Sequence, residues 1–275
     1  MSKTWFITGT SRGFGRRFAE AALSRGDRVA ATARDAGALA DLVAAHGDRV
    51  LPLTLDVTDR AAATEAARRA HEHFGRLDVV VNNAGSALIG MVEELIEADV
   101  RAHFDANVFG TLWVTQAVLP YLRAQGSGHI INLSSFLGLA AFPSTAAYTA
   151  AKAAVEGLSD ALAQEVAGFG IAVTIVEPGP FGTDFSAVAT YSTPLPAYAG
   201  VREAVNAGFA TLPNPGPDGV GPALLRIADA DEPPSRVFFG TMPLQVVPQI
   251  YADRIATWQR WADLSAEAES SPVAS

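Results

Sequence analysis

Short apolar segments alternate with stretches of helical periodicity over the first two thirds of the chain, and this alternation limits the fold more than any other feature. Thr4–Thr8, Arg28–Ala33, Val50–Leu55, Leu77–Asn82, His129–Leu133 and Ile171–Glu177 are rich in Val, Ile and Leu and bounded by Gly, Asp, Asn or Pro. Such runs read as strands buried on both faces. Between them Gly13–Arg25, Gly37–His46, Asp59–Phe74, Val100–Arg123 and Ala147–Val166 read as helices, the third with Thr58 or Asp59 as N-cap. Strict β-α-β alternation predicts the α/β class: a doubly wound parallel sheet of about seven strands with helices on both faces.

After Glu177 the pattern changes. Pro178–Ala199 has little periodicity and much Pro, Gly, Ser and Thr, so it reads as a loop, with a substrate-binding lid over about 178–215. Pro217–Ala230 reads as a helix, Arg236–Gly240 as a last strand and Leu244–Asp263 as a final helix, before a small, polar tail at 265–275 that is expected to fray. No repeat or linker divides residues 1–264, which read as one catalytic domain.

Hydrophobic residues make up 49% of the 275 and charged residues 18%, which excludes an intrinsically disordered chain. A net charge of −9 offers phosphate backbones no basic face, so no nucleic-acid partner is expected. The absence of cysteine removes disulfides, thiolate nucleophiles and Cys-based metal sites, and fits a reducing cytoplasm. No apolar stretch of roughly 7–15 residues opens the chain as a signal peptide would, and none of roughly 18 could span a bilayer. A cytoplasmic, soluble protein without a membrane partner is the expectation.

The first strand runs into Thr8-Gly9-Thr10-Ser11-Arg12-Gly13-Phe14-Gly15 and then a helix. A glycine-rich strand-to-helix turn lets the backbone approach a pyrophosphate, and the helix N-terminus presents free N–H groups to it. Gly9, Ser11, Arg12, Gly13, Phe14 and Gly15 are therefore candidate cofactor residues, although the spacing is G-x-x-x-G-x-G rather than G-x-G-x-x-G. Asp56, with Val57 after it, closes the third strand, where its carboxylate could accept from an adenine amino group. Asn83, Ala84 and Gly85 close the fourth with small residues suited to a ribose. Ligands of open parallel sheets bind beyond the carboxyl ends of the strands, where all of these fall.

Tyr148 and Lys152 are four apart on a predicted helix and share a face. An ammonium about 4 Å from a phenol contributes up to about 4 kcal/mol at an effective dielectric of 20, enough to lower a tyrosine pKa by up to roughly three units before burial opposes it. Such a phenol can exchange a proton near neutrality, as a carbonyl/alcohol interconversion requires.

With these motifs the sequence resembles the short-chain dehydrogenase/reductase family. The likeness rests on Thr8-Gly9-x-x-x-Gly13-x-Gly15, Asp56, Asn82-Asn83-Ala84-Gly85, Asn107, Ser135, Tyr148-x-x-x-Lys152 and Pro178-Gly179 followed by Thr183, in unbroken order over about residues 4–185. It implies a Rossmann-like fold and an NAD(P)(H)-dependent oxidoreductase with a catalytic tetrad. Tyr148 would be the general acid or base, and Lys152 would hold the nicotinamide ribose and depress the tyrosine pKa. Ser135 would hydrogen-bond the substrate oxygen, and Asn107 would anchor a water in a relay to Lys152. Pro178, Gly179 and Thr183 would border the nicotinamide. A homodimer or homotetramer built from the helices of Asn107 and Tyr148 is also implied. Two rival functions share the scaffold: a catalytically silent NADP(H)-binding sensor, and an epimerase or dehydratase.

Ala33 stands where an NAD-specific member would carry an acid, with Arg34 next and Arg12 in the glycine turn. Two guanidiniums without that carboxylate favour NADP(H) over NAD(H), since arginine suits a 2′-phosphate. Asp35 dissents, unless it caps the following helix. Phe136, Phe142 and Phe185, with Leu137 and Phe181, either pack the core or wall an apolar pocket for a hydrophobic carbonyl or alcohol substrate. His46, His71, His73, His103 and His129 show no ligand spacing, so no metal is expected. Ile250, Tyr251, Ile255, Trp258, Trp261 and Leu264 form an apolar stripe for packing or subunit contact.

Overall fold

The computed structural model describes residues 2–183 and 188–269. Its strands and helices follow in the order β1 (Thr4–Ile7), α1 (Gly13–Ser24), β2 (Arg28–Ala33), α2 (Ala40–His46), β3 (Val50–Thr54), α3 (Arg60–Phe74) and β4 (Val79–Asn82). There follow β5 (Leu88–Ile89), α4 (Glu97–Phe104), α5 (Gly110–Gln125), β6 (Gly128–Leu133), α6 (Ala146–Val166) and β7 (Ile171–Pro178). The last third holds β8 (Thr190–Tyr191), α7 (Ala199–Ala210), α8 (Val220–Ala228), β9 (Arg236–Phe239), α9 (Met242–Arg260) and α10 (Ala262–Ala268).

Seven strands form one parallel sheet in the order β3-β2-β1-β4-β6-β7-β9. The chain winds outward from β1 in one direction and from β4 in the other, so a crevice opens at their carboxyl ends. The pleat divides the core. Trp5 and Ile7 face α1 and α8 with Phe18, Leu23 and Leu224, while Phe6 faces the layer of α3, α5 and α6 with Leu77, Val118 and Leu122. All three β1 side chains are fully buried, each contributing about 1.5–3 kcal/mol. The Trp5 indole keeps its hydrogen bond, donating to Asp27 Oδ2 at 2.8 Å.

Local signals act where the sequence put them. Asp59 caps α3 by accepting from Ala62 N at 3.0 Å, and Gly75 ends that helix with φ of +75°.

Three segments depart from the sequence reading. The single helix expected over Val100–Arg123 begins at Glu97 and contains a π-turn, Asp105–Phe109. The lid region is not one loop: β8 pairs in parallel with β5, and α7 follows it. Glu94 ties these pieces down, its carboxylate accepting from Met91 N and Leu195 N, both at 2.8 Å, and from Arg202 Nη2 at 2.7 Å. Finally, helix continues as α10 through Ala268, into the segment read as tail. Tyr251, Ile255, Trp258, Trp261 and Leu264 of α9 and its continuation are exposed. Among the described residues no helix is long and apolar enough to cross a membrane.

Candidate active site

The turn from β1 to α1 passes through Gly9 and Gly13 with φ of +70° and +58°. A Cβ on Gly15 would fall 2.3 Å from Gly9 O and 2.4 Å from Asn83 Nδ2, so only glycine fits there. The end of β4 braces this turn. Asn83 Nδ2 donates to Thr8 O at 2.8 Å and to Gly9 O at 3.2 Å, while Thr8 Oγ1 accepts from Asn83 N and Ala84 N, both at 2.9 Å. Thr8 was not singled out by the sequence as a site residue; its place before Gly9 was the available signal. Ser11 and Arg12 are exposed at the start of α1, which has no side-chain cap, so its first N–H groups are open to an anion. The Phe14 ring packs edge-on against Phe181 at 5.2 Å and tilted against Phe18 at 5.9 Å, which leaves its backbone as the part facing the turn.

Beyond β2, Arg34 is exposed, and among the described residues neither it nor Arg12 makes an ion pair. Asp35 does cap the next turn, accepting from Gly37 N at 2.8 Å. Beyond β3, Asp56 Oδ1 accepts from Thr58 N at 3.0 Å and Thr58 Oγ1 at 2.8 Å, and its second oxygen bonds none of the described residues. The Val57 side chain is buried against the start of α5, 2.6 Å from where a Cβ on Gly110 would stand.

Two of the four candidate catalytic positions, Asn107 and Lys152, meet at Gly85. A Cβ there would lie 2.5 Å from Asn107 Oδ1 and 3.8 Å from Lys152 Nζ. Asn107 occupies the π-turn, a distortion that recurs at functional sites. Its Nδ2 donates to His103 O at 2.9 Å and Ser86 O at 3.2 Å, while Oδ1 is buried without a partner among the described residues. Lys152 Nζ donates to Leu133 O at 2.8 Å and stands 5.8 Å from the centre of the Tyr148 ring. Ser135 is close enough to Tyr148 to oppose the rise of the phenol pKa, and its Oγ accepts from Leu137 N at 3.1 Å.

The electrostatics differ from the sequence expectation. Burial pushes the Tyr148 phenol up to about 12, with Ser135 opposing it, and burial pushes Lys152 down to about 8. Both side chains are enclosed, and in a dry pocket the loss of hydration outweighs what Ser135 offers the phenolate.

His103, one turn before Asn107, was passed over because it belongs to no ligand pattern. Its buried ring lies 5.9 Å from that of Tyr148, and burial followed by the Lys152 charge holds its pKa down to about 4, so it is neutral.

On the substrate side, Phe136 is buried in a satellite core with Met242 and Val247 of α9. Phe142, partly buried, lies 6.1 Å from it, and Phe185 falls outside the described residues. Gly179 N donates to Phe239 O at 2.8 Å, and Thr183 N to Phe181 O at 2.8 Å, so Pro178-Gly179 leave β7 beside the end of β9.

A family model for short chain dehydrogenases matches residues 3–192. The oxidoreductase BOA17 of Botryotinia fuckeliana is 42% identical over 271 residues, 96% of this chain and 98% of that protein. A short-chain dehydrogenase from Streptomyces avermitilis superposes with a TM-score of 0.89 at 39% identity, covering 97% of this chain and 99% of the other. A Burkholderia phymatum relative solved with NAD gives 0.81 at 26% identity, covering 93% and 95%. One from Burkholderia cenocepacia solved with NADP gives 0.75 at 29% identity, covering 94% and 97%. This chain, with its Rossmann-like sheet and its glycine turn, belongs to the short-chain dehydrogenase family of oxidoreductases.

Proposed function

We propose that the protein is an NADP(H)-dependent carbonyl reductase or alcohol dehydrogenase acting on a hydrophobic ketone, aldehyde or secondary alcohol. The observation that carries this reading is the buried grouping of Tyr148 with Ser135 and Lys152, the ammonium 5.8 Å from the phenol ring: two hydroxyls are available to a substrate oxygen, and a cation backs them.

The residues fit a dinucleotide. The glycine turn is too tight for a Cβ at Gly15, and the N-terminus of α1 is open to a pyrophosphate. Asp56 has a carboxylate oxygen to spare for adenine. Arg12 and Arg34, exposed and without ion pairs among the described residues, suit a 2′-phosphate better than a 2′-hydroxyl. Asn83, Ala84, Gly85 and Lys152 would hold the ribose side, and Pro178, Gly179 and Thr183 the nicotinamide side.

When bound, the reduced cofactor supplies the hydride. Tyr148 Oη gives its proton to the substrate oxygen, and Ser135 Oγ holds that oxygen in place. Lys152, fixed at Leu133 O, offsets the negative charge that the phenol acquires. Asn107 Oδ1, without a partner among the described residues, would accept from a water that returns a proton toward Lys152. A phenol pushed up to about 12 keeps its proton through the neutral range, the form that reduction needs. Phe142 would wall the apolar side of the substrate. Exposed Phe109 and Leu158, on the helices of Asn107 and Tyr148, support assembly as a homodimer or homotetramer.

The decisive experiment is Tyr148→Phe, assayed by NADPH absorbance with a panel of ketones, aldehydes and hydroxysteroids. NADPH affinity should persist while turnover falls by about 10²–10⁴. Undiminished turnover in the variant refutes the role of Tyr148.

A further inference from the structure

Three residues of the active site have a neighbour in a second cluster of charges behind it. Ser134 precedes Ser135, Glu156 lies one turn after Lys152 on α6, and Glu177 precedes Pro178 at the end of β7. The tetrad uses none of the three.

Glu156 and Glu177 are buried, with side-chain exposures of 7% and 2%. One guanidinium serves both. Arg236 Nη1, from β9, donates to Glu177 Oε1 at 3.0 Å and to Glu156 Oε2, while Nη2 pairs with the more exposed Asp160. Glu156 Oε1 turns the other way. A Cβ on Gly138 would stand 3.2 Å from it and 2.9 Å from Ser134 Oγ, which puts that hydroxyl beside the carboxylate. The groups facing the pair are therefore Lys152 and Asp160 from α6, Ser134 from the turn after β6, and Arg236 from β9.

Two buried carboxylates that share one cationic nitrogen repel each other at short range, and the relief is to hold one proton between them. Both carboxylates bond Arg236 Nη1, Glu177 from Oε1 and Glu156 from Oε2, so they face each other across a single nitrogen. Burial raises the pKa of both, that of Glu177 to about 7. The charge left on the pair is felt nearby, since Glu156 pulls the Lys152 pKa upward against burial.

We infer that Glu156 and Glu177 form a proton-sharing dyad, clamped by Arg236, which sets the charge state of Lys152 and acts as a positioning unit for the tetrad. The dyad stands on the structure alone; its catalytic consequence rests on the reaction proposed above.

The dyad is tested without activity, by following the side-chain carboxyl carbons of the intact protein by ¹³C NMR against pH. Glu156 and Glu177 should titrate as a linked pair with one step in the neutral range, and Glu177→Gln should abolish the linkage. If both titrate independently near the ordinary glutamate value of about 4.3, the dyad is refuted. The Lys152 side-chain resonance of the wild-type protein should show an inflection at the pH of the neutral dyad step, and its absence refutes the coupling. In the reductive assay, Glu156→Gln should move the alkaline limb of kcat/KM to lower pH by roughly one unit, because an anion about one helical turn from Lys152 is lost. Glu156→Asp, which keeps the charge, should restore most of that shift. An unmoved limb in a folded Glu156→Gln protein overturns the positioning role. Wild-type protein that reduces no carbonyl substrate sinks the proposed reaction instead, and leaves the dyad to the NMR result.

Discussion

Lys152 donates from Nζ to the carbonyl oxygen of Leu133 at 2.8 Å. This bond ties α6, which carries Tyr148, to the end of β6, from which Ser135 follows. The same enclosure that fixes the ammonium strips its hydration and lowers its pKa to about 8, so a group proposed to serve catalysis is a burden on folding.

That burden has a measurable sign. The unfolded lysine, with an ordinary value of 10.5, keeps a proton that the folded lysine releases near 8. Between those limits the unfolded state binds more protons, so this residue makes wild-type stability rise with pH. Lys152→Met should remove that rise. Urea denaturation at pH 7.5 and 9.5 should show wild type gaining about 1–3 kcal/mol relative to the variant. Identical pH dependence in the two proteins contradicts the assigned burial cost.

Gly15→Ala puts a Cβ 2.3 Å from Gly9 O and 2.4 Å from Asn83 Nδ2. The backbone of the turn must move, at a cost of about 1–3 kcal/mol, and the proposed phosphate cradle moves with it. Both the melting temperature and NADPH affinity should fall. A variant that binds cofactor like wild type shows that the turn does not hold it.

The proposed preference for NADP(H) rests on Arg12 and Arg34. A guanidinium contact to phosphate contributes about 1.5–3 kcal/mol, so removing both by Arg12→Ala and Arg34→Ala should weaken NADPH binding at least about 100-fold. NADH binding should change far less. Titration calorimetry with the two coenzymes decides it, and equal losses reject the assignment.

Arg202→Ala leaves the enclosed carboxylate of Glu94 with only its two backbone donors, and frees α7 from the 91–95 segment. KM should rise more than kcat falls, and limited proteolysis should cut first near 195–210. A change confined to kcat argues against α7 as part of the substrate cover.

Much of this was legible in the sequence because it is local. Each of the six early strands lies within a residue or two of its reading, since a short apolar run between turn residues has few alternatives. The Asp59 cap and the Asp35 turn follow from side chains bonding backbone two or three residues away. The π-turn at Asn107 was not legible, because one extra residue in a helical turn leaves no mark in composition. Nor was α7, whose anchor, Glu94, is far away in sequence.

The sequence by itself determined the seven strands of the main sheet, the glycine turn and the helical spacing of Tyr148 and Lys152, because backbone sterics and hydrophobic periodicity act over a few residues. Only the tertiary structure decided which groups lose water together. Burial pushes Tyr148 up and Lys152 down, places neutral His103 beside the phenol, and brings Glu156 and Glu177 under one arginine. Desolvation depends on everything that surrounds a side chain, and those neighbours are assembled from distant parts of the chain.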